Sequence, residues 1–434
     1  MAEYRTVNAQ VVGSSPTFGA MKISIFTPSH DPKFLDDAEE SVTRQTYDNW
    51  EWIILLNGGA NWKPKSGDKR IKVIHMGEAR GVGHAKKTAC NYATGDVFLE
   101  LDHDDQLSYN ALELVAETFD STDTVFAYSD FAQINEDGTT NYDRFDADLG
   151  WRYEDDVVNN RMVLRCLSMP VFPATVSYIW FAPNHLRAFT REAYEAVGGY
   201  DDTLEVLDDL DLMARLYQYG EFAHINACLY LQRVHPDNTQ ARPDLNARIQ
   251  HETVVLYDRH IEANLHAWCK RNNLFALDLG AAHNKPEGYI GIDIEGADWN
   301  GDVFDVLYGL EDSSVGVIRA YDFLEHIPDK VRMFNEIYRV LAHGGMLLSM
   351  TPSTDGRGAY QDPTHVSFYN ENSFWYYTNT QFAKYVPEIQ CKFQISRIET
   401  MYPSPWHEQH QINYVLANLV AIKHGQRIAG ILFE

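Results

Sequence analysis

The sequence predicts two successive α/β domains, and three observations carry that reading. The chain has 434 residues, more than one ordinary hydrophobic core encloses. Short apolar runs closed by Pro, Gly, Asn or Asp alternate with segments of helical period, as in a largely parallel sheet. The pattern lapses into a polar helical stretch and starts afresh after Asn272-Asn273. We therefore expect a loose arm over 1–20 and a first domain over 21–266, including a linking helix near 245–265. A second domain is expected over 267–434.

Composition narrows the function. Hydrophobic residues make up 45% and charged residues 23%, ordinary for a globular chain, but the formal net charge is −26. Such an excess of carboxylates argues against nucleic acid as partner, because duplex binding depends on Lys and Arg neutralising phosphates. It leaves room for a nucleotide, whose few phosphates a metal and one or two cations can hold. Five scattered cysteines without paired spacing suggest reduced thiols. No apolar run reaches membrane-spanning length, and residues 1–20 lack the basic-then-apolar order of a signal peptide. Together these features predict a cytoplasmic protein with no integral membrane segment.

In the first domain, Lys22 to His30 reads as a strand ending at a proline turn, followed by a helix with Phe34, Leu35, Ala38 and Val42 at helical spacing. Trp50 to Leu56 is a second buried strand closed by Asn57-Gly58-Gly59, and Ile71 to His75 a third. Gly81 to Ala93 reads as a helix leading into Val97-Phe98-Leu99-Glu100-Leu101, which stops abruptly at Asp102-His103-Asp104-Asp105. Ligands of parallel sheets bind at the carboxyl ends of strands. Clustered carboxylates there repel one another unless a cation sits between them, and a hard divalent ion that also touches phosphate is the natural occupant. A solvated acidic turn capping the next helix is the alternative, with Asp105 as the cap.

The ordered set Ser24-Ile25-Phe26-Thr27-Pro28, Arg80-Gly81-Val82, Ala93-Thr94-Gly95-Asp96 and Leu101 to Asp105 resembles the family 2 glycosyltransferases of GT-A fold. The likeness continues through His185 to Phe189, Gly198-Gly199-Tyr200-Asp201, Asp208-Asp209-Leu210-Asp211-Leu212 and Arg233-Val234-His235-Pro236. The resemblance implies a nucleotide-sugar donor, with Pro28 and His30 lining the base pocket and Asn57 facing the pyrimidine. An amide at Asn57, where the family usually has an acid, suits a uracil imide and leaves other bases open. Arg80, Lys86, His103 and Arg233 join the donor-binding set. Asp104 is the implied direct ligand of Mn2+ or Mg2+, Asp102 contacts the ribose or the metal shell, and His235 closes over the metal and diphosphate. Asp209 is the implied catalytic base, with Asp208 beside it and inversion at the anomeric carbon. Residues 143–183 match little and are expected to form much of the acceptor surface.

In the second domain, strands are expected at Leu274–Gly280, Tyr289–Ile294, Gly316–Ala320 and Met346–Met350, with a helix carrying Met333, Ile337 and Leu341. Asp278-Leu279-Gly280, Asp293, Tyr321 to Ile327, Arg339-Val340-Leu341 and Gly358 to His365 resemble the class I, S-adenosylmethionine-dependent methyltransferases, a Rossmann-like fold. The resemblance implies a cofactor site built from Asp278, Gly280, Ala282, Asp293 and Asp302, with Asp293 on the ribose hydroxyls. Ala282 stands where the family has glycine, so the turn either binds in an ordinary conformation or has lost the cofactor. His326 and His365 are candidate bases, a structural role being the alternative for each. The expectation is thus a bifunctional enzyme that transfers a sugar from a nucleotide-sugar to a glycan, lipid-linked or protein acceptor and O-methylates a sugar. Its alternative is a glycosyltransferase whose second domain is a non-catalytic binding or assembly module.

Overall fold

A computed structural model describes residues 21–282 and 285–424. The expected arm over 1–20, and His283 and Asn284, lie outside the described residues. The chain divides into two compact units, the first running to His260 and the second from Ile261, with 148–150 and 172–175 counted in the second.

The first unit opens with β1 (Ile23–Ser29), α1 (Leu35–Thr43), β2 (Trp50–Leu56), β3 (Ile71–His75), α2 (Val82–Tyr92) and β4 (Val97–Glu100). These strands pair in parallel in the order β3-β2-β1-β4. Every residue of β2 is buried, which is why its sequence is an almost unbroken apolar run. Its one charge, Glu51, is enclosed by Lys22, Lys72, Ser24 and Thr94. A second buried relay ties the strand ends together. Trp52 Nε1 donates to Thr27 Oγ1 at 2.8 Å, and Thr27 Oγ1 donates to the Leu101 carbonyl at 2.7 Å. The backbone leaving β4 is therefore fixed where the acids begin.

Beyond it follow β5 (Gln106–Leu107), α3 (Ala111–Ser121), β6 (Thr124–Asn135), the hairpin β7 (Arg152–Val158) and β8 (Arg161–Leu167), and α4 (Pro173–Val176). Then come β9 (Arg187–Thr190), α5 (Arg191–Ala196), α6 (Asp208–Tyr219) and β10 (Glu221–Val234). The sheet turns mixed here. β9 lies antiparallel between β4 and β6, β10 runs parallel to β6, and β5 closes the edge antiparallel to β10. The linking helix is longer than expected: α7 spans Pro243–Asn272, and the division between units falls inside it.

The second unit contains β11 (Phe275–Leu279), β12 (Ile290–Asp293), β13 (Trp299–Asn300), α8 (Val303–Tyr308) and β14 (Val315–Tyr321). It continues with α9 (Lys330–Val340), β15 (Leu341–Pro352), β16 (Phe393–Met401) and β17 (Tyr414–Ala421). The sheet order is β13-β12-β11-β14-β15-β17-β16, parallel as far as β15, with β17 antiparallel to both neighbours. Met333, Phe334 and Ile337 of α9 join Leu277, Ile292, Ile318 and Leu347 in one core. Leu341, expected on the helix face, begins β15, because the chain has already turned extended there (φ −65°, ψ 136°).

Candidate active site

At the carboxyl ends of β1 and β4 the acids separate into different environments. Asp105, expected to cap a helix, is 2% exposed and caps none. Its Oδ1 accepts from the Arg233 amide at 2.6 Å, and the Tyr230 hydroxyl bonds to it as well. A buried acid in that position locks the turn to β10. Asp104 Oδ2 faces His235 Nε2 at 2.9 Å, and Asn238 Nδ2 donates to the same oxygen at 3.3 Å. Asp102 lies nearest the buried centre. Loss of solvent, then repulsion from Glu100 and Asp104, raises its carboxyl to about 7. A cation would relieve that repulsion.

Among the described residues, Asp102, Asp105 and His185 have donor atoms within 4.8 Å of one another, a trio that differs from Asp102, Asp104 and His235. His185 was passed over as a site residue by sequence reasoning. Its ring stacks on Tyr230 (centroids 4.2 Å apart, 7° between planes), with Nε2 3.8 Å from Asp102. The signal was available in the His185 to Phe189 motif. These oxygen and imidazole donors fit a divalent ion bound with a diphosphate.

The acid pair stands at the start of α6, where the helix macrodipole favours negative charge. Beneath it runs a buried ionic network that apolar periodicity could not reveal. Lys86 Nζ lies 2.7 Å from Glu100 and 3.0 Å from Asp208, while Arg187 Nη1 donates to Asp209 at 2.7 Å. Glu100 also accepts from the Tyr200 hydroxyl. Lys86, expected to face the donor, has its ammonium engaged inside this network. Burial raises the Asp208 carboxyl to about 6. Burial acts the same way on Asp209, but Arg187 and then Lys86 outweigh it and hold that carboxyl near 2. The side chain of Asp209 is 20% exposed and that of Asp208 5%, so Asp209 is the more open of the two.

Pro28 is half-buried at the end of β1, and His30 beyond it is exposed, its ring edge-on to His103 at 5.0 Å. Asn57 engages both ends of its amide with the Arg80 backbone, Nδ2 donating to the carbonyl and Oδ1 accepting from the N–H. The amide thus positions the Arg80 turn, while the exposed Arg80 guanidinium pairs with Glu78. Arg233 is 1% exposed, and its guanidinium donates to the carbonyls of Asp104 and Glu136 and to Asp37. It braces the acidic turn from below instead of facing a ligand.

In the second unit the turn after β11 is left-handed at Gly280 (φ +71°) and at Ala282 (φ +39°). Ala282 therefore adopts the conformation that glycine would take. Its N–H donates to Asp293 Oδ2, and Ile294 N–H to Oδ1, so the acid closing β12 secures the turn. A Cβ at Gly280 would come within 2.7 Å of the Phe323 ring. Asp278 is buried against Arg319 at 2.9 Å, and burial raises its carboxyl. A bare turn beside an acid at neighbouring strand ends fits a nucleoside-type cofactor. Asp302 caps α8, its Oδ1 accepting from Phe304 N–H at 2.9 Å.

Both sheets and both strand-end sites define the class: a GT-A nucleotide-diphospho-sugar transferase fold followed by a Rossmann-like methyltransferase fold. Residues 24–177 match the model of Glycosyl transferase family 2, and residues 281–349 that of Methyltransferase domain. The N-terminal half thus resembles family 2 glycosyltransferases, and the C-terminal half class I S-adenosylmethionine-dependent methyltransferases. The chain is 22% identical to the chondroitin synthase of Pasteurella multocida (strain Pm70) over 242 residues, covering 54% of this chain and 23% of that one. Identity to the hyaluronan synthase of Pasteurella multocida is 22% over 228 residues, covering 51% and 21%. The Escherichia coli UDP-Glc:alpha-D-GlcNAc-diphosphoundecaprenol beta-1,3-glucosyltransferase WfgD is 32% identical over 118 residues, covering 26% and 47%. The chain spans less than a quarter of the two synthases. A solved structure of S. aureus TarS 1–349 in complex with UDP-GlcNAc aligns with TM-score 0.43 and 12% identity, over 58% of this chain and 72% of that one. No helix among the described residues is long and apolar enough to cross a membrane, and all five cysteines are free and buried.

Proposed function

We propose that the first unit transfers a sugar, with inversion, from a nucleotide-diphosphate donor to a hydroxyl of a glycan, lipid-linked or protein acceptor, and that the second O-methylates a sugar. One observation carries the first part. Asp104 meets His235 and Asn238 at the strand ends, and the Asp208–Asp209 pair joins the same centre through Lys86, Arg187 and Glu100. Asp102 and Asp104, with His235 or His185, would hold Mn2+ or Mg2+, which supplies charge stabilisation for a departing diphosphate. Asp209 accepts the acceptor's proton, and Arg187 keeps it ionised beforehand. UDP-sugars are the favoured donors, as the printed name of WfgD suggests. In the second unit Gly280, Ala282 and Asp293 would hold S-adenosylmethionine, which supplies an electrophilic methyl group. Aligning a sugar hydroxyl with that methyl is the protein's share of the catalysis.

The test is incubation of the full chain with a panel of nucleotide-sugars, Mn2+, S-adenosylmethionine and glycan acceptors, read by mass. An added hexose and an added methyl are expected, and no gain on any acceptor would overturn the proposal. Alanine at 282 favours a second reading, in which the C-terminal half is a non-catalytic binding module. Calorimetry decides between them: heat with S-adenosylmethionine that Asp293→Ala abolishes supports the enzyme, and no heat supports the module.

A further inference from the structure

Outside both sites described above, Glu325, His326 and His365 bring three donor atoms within 4.8 Å of one another. The loop after β14 supplies two of them, and the segment after residue 358 supplies the third. Each donor is oriented from behind. His365 Nδ1 lies 3.1 Å from the Ala359 carbonyl, which it meets as a donor, leaving Nε2 to face Glu325 Oε1 at 4.0 Å. That separation is too long for a hydrogen bond. Glu325 Oε2 accepts from Thr351 Oγ1 of β15 at 2.7 Å, and its backbone carbonyl accepts from Val366 and Ser367, so the carboxylate is held by the strand and its backbone by the segment carrying His365. Thr364 meets His326 Nδ1 through its hydroxyl at 3.2 Å and its carbonyl at 3.3 Å. Two of the three are enclosed, Glu325 at 2% exposure and the His365 side chain at 7%, while His326 opens to solvent.

Donors bound to one ion at about 2.0–2.2 Å each stand no more than about 4.4 Å apart, so this set closes on an ion by small side-chain rotations. Two imidazoles and one carboxylate suit Zn2+ and its first-row neighbours better than Mg2+ or Ca2+. The backing hydrogen bonds on Glu325 and His365 are those expected behind metal ligands. Beside the histidines in the chain, Tyr360 and Phe368 stack on each other with centroids 5.2 Å apart and stand 65% and 40% exposed. An open aromatic pair offers a face for a pyranose ring.

We propose that Glu325, His326 and His365 bind a divalent transition-metal ion whose open position takes a hydroxyl of the sugar acceptor. The acceptor role rests on the methyltransferase reading, whereas the ion site does not. The probe is Zn2+ alone, titrated calorimetrically into the full chain carrying Asp102→Ala and Asp104→Ala, so that both donor trios of the first unit lose a carboxylate. One site is expected, and adding His326→Ala or His365→Asn weakens it by about tenfold or more. His326 is exposed, so its substitution leaves the fold intact, as thermal melting will register. Zn2+ affinity unchanged in both variants, or no Zn2+ bound at all, would overturn the site. Heat with S-adenosylmethionine is measured separately on the same protein. Its absence beside intact Zn2+ binding would overturn the acceptor role while upholding the ion site.

Discussion

Arg187 and Glu51 show how single charges set the chemistry and the stability of the first unit. Burial alone would raise the Asp209 carboxyl, but Arg187 at 2.7 Å and the charge of Lys86 hold it near 2, so it is ionised across the working range. Asp209→Asn is expected to lower sugar transfer by about 10²–10⁴-fold. Arg187→Gln removes the main lowering charge, so the acid limb of kcat/KM should move upward by about one unit or more. A limb that stays put would remove Asp209 from the base role. Glu51 bears on folding instead. Burial pushes its carboxyl up, yet Lys22, Lys72, Ser24 and Thr94 more than offset this and hold it well below the carboxylate range. A carboxyl depressed in the folded state contributes stability that is complete above its unfolded pKa. That stability fades as pH falls toward the folded value. Glu51→Gln should therefore destabilise the protein at pH 7 by about 1–3 kcal/mol and flatten its acid unfolding curve in chemical denaturation.

At the scale of elements, the close approach of α2 to the turn before α6 is what brings Lys86 beneath Asp208. Gly83 permits it: a Cβ there would stand 2.5 Å from the Asp201 carbonyl and 3.2 Å from that of Leu204. Gly83→Ala should cost about 1–3 kcal/mol by thermal melting and lower sugar transfer more than nucleotide binding. An equal loss of both would mean that the spacing matters only for the fold. The buried strands were legible because residues enclosed on both faces write continuous apolar runs, as in β2 and β11. The β7–β8 hairpin was not read, since three consecutive acids, Glu154 to Asp156, sit in the middle of β7 and no apolar run or alternation forms there. Site residues followed the same rule. Acids at strand ends stood out, but the inward turn of Lys86 and Arg233 depends on partners 14 to 196 positions away, beyond any local pattern. Asp105 read as a surface cap because buried acids are rare, and only its bonds to Arg233 and Tyr230 make burial tolerable. Alanine at 282 left the cofactor turn open, and the positive φ there resolves its conformation.

For the whole molecule, each unit has its own sheet and its own strand-end site. Inactivation should therefore separate: Asp104→Ala abolishes sugar transfer with S-adenosylmethionine binding within about twofold of normal, and Asp293→Ala does the reverse. Loss of both functions from either substitution would mean that the sites are energetically coupled. The central claim is a metal-dependent nucleotide site around Asp102 and Asp104. Calorimetric titration of the full chain with UDP, with and without Mn2+, tests it most directly. The account predicts binding that weakens by about tenfold or more when Mn2+ is withheld or Asp104 is replaced by Ala. UDP binding indifferent to both, or no binding of UDP or any other nucleoside diphosphate in the presence of Mn2+, would contradict it.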